Sequence, residues 1–189
     1  YLGKYEEAIK DYDEVIKLDP KYSIAFNNRG IAKSELGREE EAIKDYDEAI
    51  KLDPKYYLAF NNRGIAKSEL GKHEEAIKDF NEAIKLDPED YLAFYNRGIA
   101  KSELEKYQEA IIDLDEAIKL DSKSESAFSN RGFAKSELGR YEEAIKDYDE
   151  AIRINPKYSI AFNNRGLAKS ELGKKEEAII DLDLSLIHI

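Results

Sequence analysis

An all-α solenoid of paired helices is the fold class this sequence predicts, and three observations predict it. The first is a stretch that returns every 34 residues. AFNNRGIAKSELG stands at 25–37 and, unchanged, at 59–71; it recurs as AFYNRGIAKSELE at 93–105, AFSNRGFAKSELG at 127–139 and AFNNRGLAKSELG at 161–173. Self-similarity at such a period marks stacked repeats, each contacting mainly its neighbours. The second is a pair of alternating helical patterns. Over 23–36, Ala25, Phe26, Gly30, Ala32 and Leu36 share one broad face, and over 38–52, Ala42, Ile43, Tyr46, Ala49, Ile50 and Leu52 recur at three- and four-residue steps. The third is punctuation. Gly37 supplies a left-handed residue between the two helices, and Asp53-Pro54 stops the second.

Taken in order, residues 1–22 read as a partial repeat with a second-type helix only. Full repeats follow at 23–56, 57–90, 91–124 and 125–158, and 159–189 is a repeat with a divergent apolar end. Eleven helices are expected. Gly30, Gly64, Gly98, Gly132 and Gly166 fall inside helices, where glycine costs about 1 kcal/mol relative to alanine. Such repetition implies close approach of the second helix, with Ala42, Ala76, Ala110, Ala144 and Ala178 as the expected facing residues. The Ala49 column then lets neighbouring repeats approach, and Tyr46, Phe80, Leu114 and Tyr148 fill the space between them.

Charge and composition narrow the function. The net charge is −11, and the repeat 23–56 alone carries six Lys/Arg against eight Asp/Glu. Acidity is thus a property of every repeat, which disfavours nucleic acid and anionic membranes as partners. The absence of Cys removes disulfides and thiolate chemistry, and no apolar run approaches the length of a membrane span. The chain contains no Met and opens on Tyr1, so it reads as an excerpt in which a leader need not appear. The compartment is left open by the sequence, with only a weak lean towards the cytoplasm.

The positions Phe26, Gly30, Ala42, Tyr46, Ala49 and Pro54 resemble the tetratricopeptide repeat, a 34-residue helix–turn–helix unit. The resemblance covers nearly the whole chain. Departures include Phe for the family's common Trp, Arg29 and its copies before the Gly, and Lys33 and its copies after it. Ser122 replaces the helix-ending Pro, and Glu105 replaces a turn Gly. The resemblance implies a right-handed superhelix with first-type helices on a concave inner face. It also implies a scaffold that binds a peptide, a partner helix or another protein in that groove.

On a helical wheel, Ile24, Asn27, Asn28, Ile31, Ser34 and Glu35 lie opposite the packed flanks. The expected groove residues are therefore Asn28, Asn62, Asn96, Asn130 and Asn164, extended by Asn27, Asn61 and Asn163 and interrupted at Tyr95 and Ser129. A carboxamide both donates and accepts, so a row of them suits the backbone of an extended peptide. The plain alternative is that these amides bond locally or to water. Some family members clamp a terminal carboxylate with Asn, Lys and Arg; the basic groove residues of that clamp are missing here. Ile31, Ile65, Ile99, Phe133 and Leu167 form an apolar stripe that is either open to a ligand or packed on the next first-type helix. Glu35, Glu69, Glu103, Glu137 and Glu171 add negative charge and favour a ligand with some Lys or Arg.

Arg29 and Lys33 fall between the packed faces. Asp11, Asp45, Asp79, Asp113, Asp147 and Asp181 flank the apolar faces of the second-type helices and could pair with them as a ladder; otherwise the Arg heads snorkel to water. His73 stands in the column of Tyr5, Tyr107 and Tyr141 and reads as a packing substitute, and His188 is far from it in sequence. No nucleophile–base pair, phosphate loop or metal spacing appears. The expectation is a protein- or peptide-binding scaffold without enzyme activity, cofactor or metal. The alternative is a structural solenoid that self-associates through uncapped ends.

Overall fold

The computed structural model describes residues 2–187, and these form eleven α-helices. The second-type helices are α1 (Leu2–Leu18), α3 (Glu39–Leu52), α5 (His73–Leu86), α7 (Tyr107–Leu120), α9 (Tyr141–Ile154) and α11 (Lys175–Ile187). The first-type helices are α2 (Ser23–Ser34), α4 (Tyr57–Glu69), α6 (Tyr91–Glu103), α8 (Glu125–Glu137) and α10 (Ser159–Glu171). Two compact units are present, Tyr1–Ala100 and Lys101–Ile189. In the first, α1 to α5 pack each on the next, and α2 also touches α4; in the second, α7 to α11 do the same, and α8 touches α10. First-type helices therefore approach one another directly within each unit.

The core is narrow and built on alanine. Ala42, Ala49, Ala76, Ala83, Ala110, Ala117, Ala144 and Ala151 are fully buried, and Tyr46, Phe80, Leu114 and Tyr148 are the large side chains among them. Gly30, Gly64, Gly132 and Gly166 do face the second helix, but at the first three the nearest partner is not the expected alanine column. A Cβ at Gly30 would lie 2.6 Å from the Tyr46 ring, one at Gly64 2.6 Å from Phe80, and one at Gly132 2.7 Å from Tyr148. At these three positions the ring sixteen residues on, not Ala42, Ala76 or Ala144, excludes a side chain. At Gly166 the neighbours are Leu182 Cγ at 3.0 Å and the Ala178 carbonyl oxygen at 3.1 Å, because the branched leucine sits differently from a flat ring.

The turn glycines behave as their column predicts. Gly37, Gly71, Gly139 and Gly173 have φ between 70° and 76°. Each lies in a hairpin closed by a bond from the next residue back five positions, such as Arg38 N–H to the Lys33 carbonyl at 3.0 Å, the pattern of a Schellman stop. Glu105 adopts the same conformation at φ 58°, and Lys106 N–H still reaches the Lys101 carbonyl at 2.9 Å. A left-handed residue with a Cβ costs roughly 1–2 kcal/mol. Glu105→Gly is therefore expected to stabilise the protein by about 1 kcal/mol in chemical denaturation; no gain would show that the Glu105 side chain compensates.

Ser122 leaves the end of α7 unchanged, and the reason is a second device that the sequence reading missed. Asp19, Asp53, Asp87, Asp121 and Asn155 each accept, through a side-chain oxygen, the N–H two residues on, at 3.0–3.1 Å. This Asx turn redirects the chain with or without proline. The divergent end is helical as far as Ile187, with Ser185 buried and donating to the Leu182 carbonyl, so it continues α11. His188 lies outside the described residues.

Candidate functional site

Clefts open between neighbouring first-type helices in each unit. In the first unit one is lined by Ile31 and Ser34 of α2, Glu35 just beyond it, Asn62 and Ile65 of α4, and Tyr46 of α3. In the second the same columns recur as Phe133, Ser136, Glu137, Asn164, Leu167, Glu171 and Tyr148, around a cavity of about 270 Å³. That is below the roughly 300–1,000 Å³ of small-molecule pockets, and it matches one or two side chains of a bound segment.

The apolar stripe is open. Ile31, Ile65, Phe133 and Leu167 are between 38% and 53% exposed, and Ile99 is half-buried. Glu35, Glu69, Glu103, Glu137 and Glu171 are all exposed. Asn28, Asn62, Asn96, Asn130 and Asn164 are half-buried, and Asn62 and Asn164 line the two clefts. Their bonds are partly internal. Asn62 Nδ2 donates to Asn27 Oδ1 at 2.9 Å, Asn96 Nδ2 to Asn61 Oδ1 at 3.2 Å, and Asn130 Nδ2 to the Ser126 carbonyl at 2.9 Å.

Those bonds correct the wider Asn ladder. Asn27 and Asn61 are 2% and 3% exposed and join adjacent first-type helices, so they do not line an accessible groove. Ser129 of the same column is buried too, and Tyr95 is half-buried. Asn163 is exposed, and its Nδ2 donates to Asn164 Oδ1 at 3.4 Å. The wheel placed this column inward because it counts only one helix; contact with the next first-type helix covers it.

The cleft floor was missed as well. Ser34 Oγ donates to Glu39 Oε2 at 2.8 Å and lies 3.5 Å from Tyr46 Oη, and Ser136 Oγ lies 3.3 Å from Tyr148 Oη. Where Phe80 and Leu114 stand in the tyrosine column, the buried Ser68 and Ser102 hydroxyls have no protein partner. The serine recurs in every repeat, which was a usable signal. His73, half-buried with a buried and unpartnered Nδ1, sits in this same region of α5.

The Arg and Lys columns do pair. Arg29 Nε and Nη2 grip both oxygens of Asp45, at 2.9 and 2.5 Å, and Lys33 Nζ adds a third contact at 2.7 Å. Arg63–Asp79–Lys67, Arg131–Asp147–Lys135 and Arg165–Asp181–Lys169 repeat the arrangement. A second acid column, absent from the expected ladder, takes the remaining arginine nitrogen. Arg29 Nη1 bonds Asp13, Arg63 Asp47, Arg131 Asp115 and Arg165 Asp149, at 2.6–2.7 Å, while Arg97 bonds Asn81. Each guanidinium also stacks on the phenylalanine three residues before it, 5.3–5.5 Å from the ring centre. One arginine thereby ties its helix to the second-type helices on both sides. Burial alone would raise the Asp181 carboxyl, but hydrogen bonds from Arg165 and Lys169 outweigh it and hold it below the usual carboxylate range. Asp11, by contrast, is exposed.

Among the described residues, no three His, Cys, Asp or Glu side chains group as a metal ion would require, and no helix is long and apolar enough to cross a membrane.

Three family models match the sequence. One described as "TPR repeat" matches residues 1–37 and 136–173; two described as "Tetratricopeptide repeat" match 23–56 with 57–90, and 80–112. No curated protein matches it. Solved structures similar to the chain include MamA, at 27% identity and TM-score 0.77, covering 84% of this chain and 93% of that one. YrrB, described as a TPR protein with an unusual peptide-binding site, is 23% identical with TM-score 0.75, covering 94% and 91%. A tetratricopeptide repeat protein from Parabacteroides merdae ATCC 43184 is 24% identical with TM-score 0.83, covering 98% and 74%. The 34-residue period, the Gly-against-ring contact that recurs at Gly30, Gly64 and Gly132, and the matches over 1–112 and 136–173 agree: this chain belongs to the tetratricopeptide repeat family.

Proposed function

We propose that the chain is a protein-interaction module that holds a partly basic peptide segment along the clefts between its first-type helices. The observation that carries this reading is the composition of each cleft. An amide, an apolar side chain and an exposed glutamate recur together at one period, as Asn62, Ile65 and Glu69 in the first unit and Asn164, Leu167 and Glu171 in the second. Packing explains the buried columns but places no requirement on these half-open ones. Asn62 and Asn96 spend one amide hydrogen on the preceding repeat, leaving their Oδ1 atoms to accept a peptide N–H. The apolar stripe would take alternate side chains, and the glutamates would attract Lys or Arg. The likeness to YrrB is one of fold, so the reading rests on this chain's own residues.

The test is binding of an immobilised peptide library, read as the affinity of the selected peptides. Asn62→Ala with Asn96→Ala is expected to weaken binding about tenfold or more, two hydrogen bonds at roughly 0.5–1.5 kcal/mol each. Glu35→Lys with Glu69→Lys should shift selection away from basic peptides. Unchanged affinity and unchanged selection would remove the clefts from the function.

A further inference from the structure

The clefts of the two units share a frame but not their walls. Where the first unit has Ile31 and Glu39, the second has Phe133 and Tyr141, so an aliphatic and a charged side chain give way to two aromatic ones. Phe133 and Glu137 stand one turn apart on α8, and both line the second cleft with Glu171 of α10. Tyr107, at the start of α7, holds that pair in place. Its ring meets Phe133 edge to face with centroids 6.3 Å apart, and its hydroxyl lies 3.5 Å from Glu137 Oε2. Phe133 keeps 39% of its surface open all the same.

The charge of this cleft is unanswered. Glutamates along α7 and α9 pair with a cation three residues away: Glu116 with Lys119, Glu143 with Arg140, and Glu150 with Arg153. Arg131, Lys135, Arg165 and Lys169 are held by Asp147 and Asp181. Among the described residues, no Lys or Arg pairs with Glu137 or Glu171, and both carboxylates are exposed.

We infer that the second-unit cleft is a subsite for an arginine side chain of the bound peptide, its guanidinium laid against Phe133 and Tyr141 and hydrogen-bonded to Glu137, with Glu171 adding charge. This rests on the reading of the clefts as peptide-binding. The molecule holds its own arginines with the same two groups. Arg29 stacks on Phe26 at 5.4 Å while gripping both oxygens of Asp45. A planar guanidinium can stack on a ring and give two parallel hydrogen bonds at once; a lysine ammonium, compact and strongly hydrated, gains less from either. The first-unit cleft sets Glu35, Glu39 and Glu69 around Ile65, which attracts either cation without choosing between them.

The probe is acetyl-Leu-Ala-Arg-Ala-Leu-amide, titrated into the nitrogen-15-labelled chain beside counterparts with lysine or citrulline in place of the arginine. Citrulline keeps the shape of arginine without its charge. Saturable amide shifts at Phe133, Glu137 and Glu171 are expected, with the lysine peptide about fivefold weaker and the citrulline peptide about tenfold weaker. Phe133→Ile, which copies the residue at Ile31, should narrow the preference for arginine over lysine to about twofold. The Phe133 column already accepts isoleucine three times, so that variant keeps its fold. Glu137→Gln should weaken both peptides. Equal affinity for arginine and lysine, an undiminished preference in Phe133→Ile, or shifts at Asn62 and Ile65 with none at Phe133 would overturn the inference alone. Shifts in neither cleft would overturn the peptide-binding reading with it.

Discussion

Tyr148→Ala is expected to lower the unfolding free energy by about 3–5 kcal/mol, measured by urea denaturation of the whole chain. Tyr148 is 1% exposed and packs with Ala144, Ala151, Ala161 and Ala168. These neighbours are already small and fully packed, and one wall is the bare backbone of Gly132, so little can move in to fill the space. A loss below about 1 kcal/mol would show that the repeat collapses around the gap. Tyr148→Phe is a different substitution. The same place is held by Phe80 in another repeat, and only the contact with Ser136 Oγ is lost. Ionisation separates the two residues. Burial pushes the Tyr148 hydroxyl up to about 12, against an opposing hydrogen bond from Ser136, and Tyr46 is likewise raised to about 12. An unfolded tyrosine ionises near 10, so this stability is fully present below about pH 10 and is lost as pH rises through the folded value. About 2 kcal/mol for each tyrosine should disappear by pH 12, and Tyr148→Phe should abolish its share. An alkaline limb unchanged in that variant would refute the assignment.

Arg131→Met is expected to cost about 3 kcal/mol, because it leaves Asp147 buried with Lys135 as its remaining cation. It also cuts the link to Asp115 and removes the stacking on Phe128, so one tie between this repeat and the one before it is lost. The exposed pair Lys119–Glu116 is the control, where Lys119→Met should change stability by less than about 1 kcal/mol. Replacing both Arg131 and Asp147 by apolar residues should recover part of the loss, since burying an unpaired carboxylate is the larger cost. Wild-type stability in Arg131→Met would mean that Lys135 alone satisfies Asp147.

The periodic sequence made most of the fold legible. Helix number, helix type, the turn glycines and the alanine core all follow from local rules applied to one repeat, and the repeat applies them five times. Glu105 shows how strong that template is: a residue unsuited to the left-handed region is held there by helices on either side. The site was less legible, because its walls belong to two repeats at once. A helical wheel cannot separate Asn27 from Asn28; the next first-type helix buries the one and leaves the other at the cleft.

By itself, then, the sequence determined the architecture, since periodicity and backbone preferences act within a few residues. It also placed Asn28, Ile31 and Glu35 on one side of a helix. Only the tertiary structure decided what lies sixteen residues away on either side of Arg29. The guanidinium grips Asp45 of the following helix and Asp13 of the preceding one, and the ring of Tyr46 presses on Gly30. Those are contacts between helices, and their partners are chosen by how the helices cross rather than by any spacing along one of them.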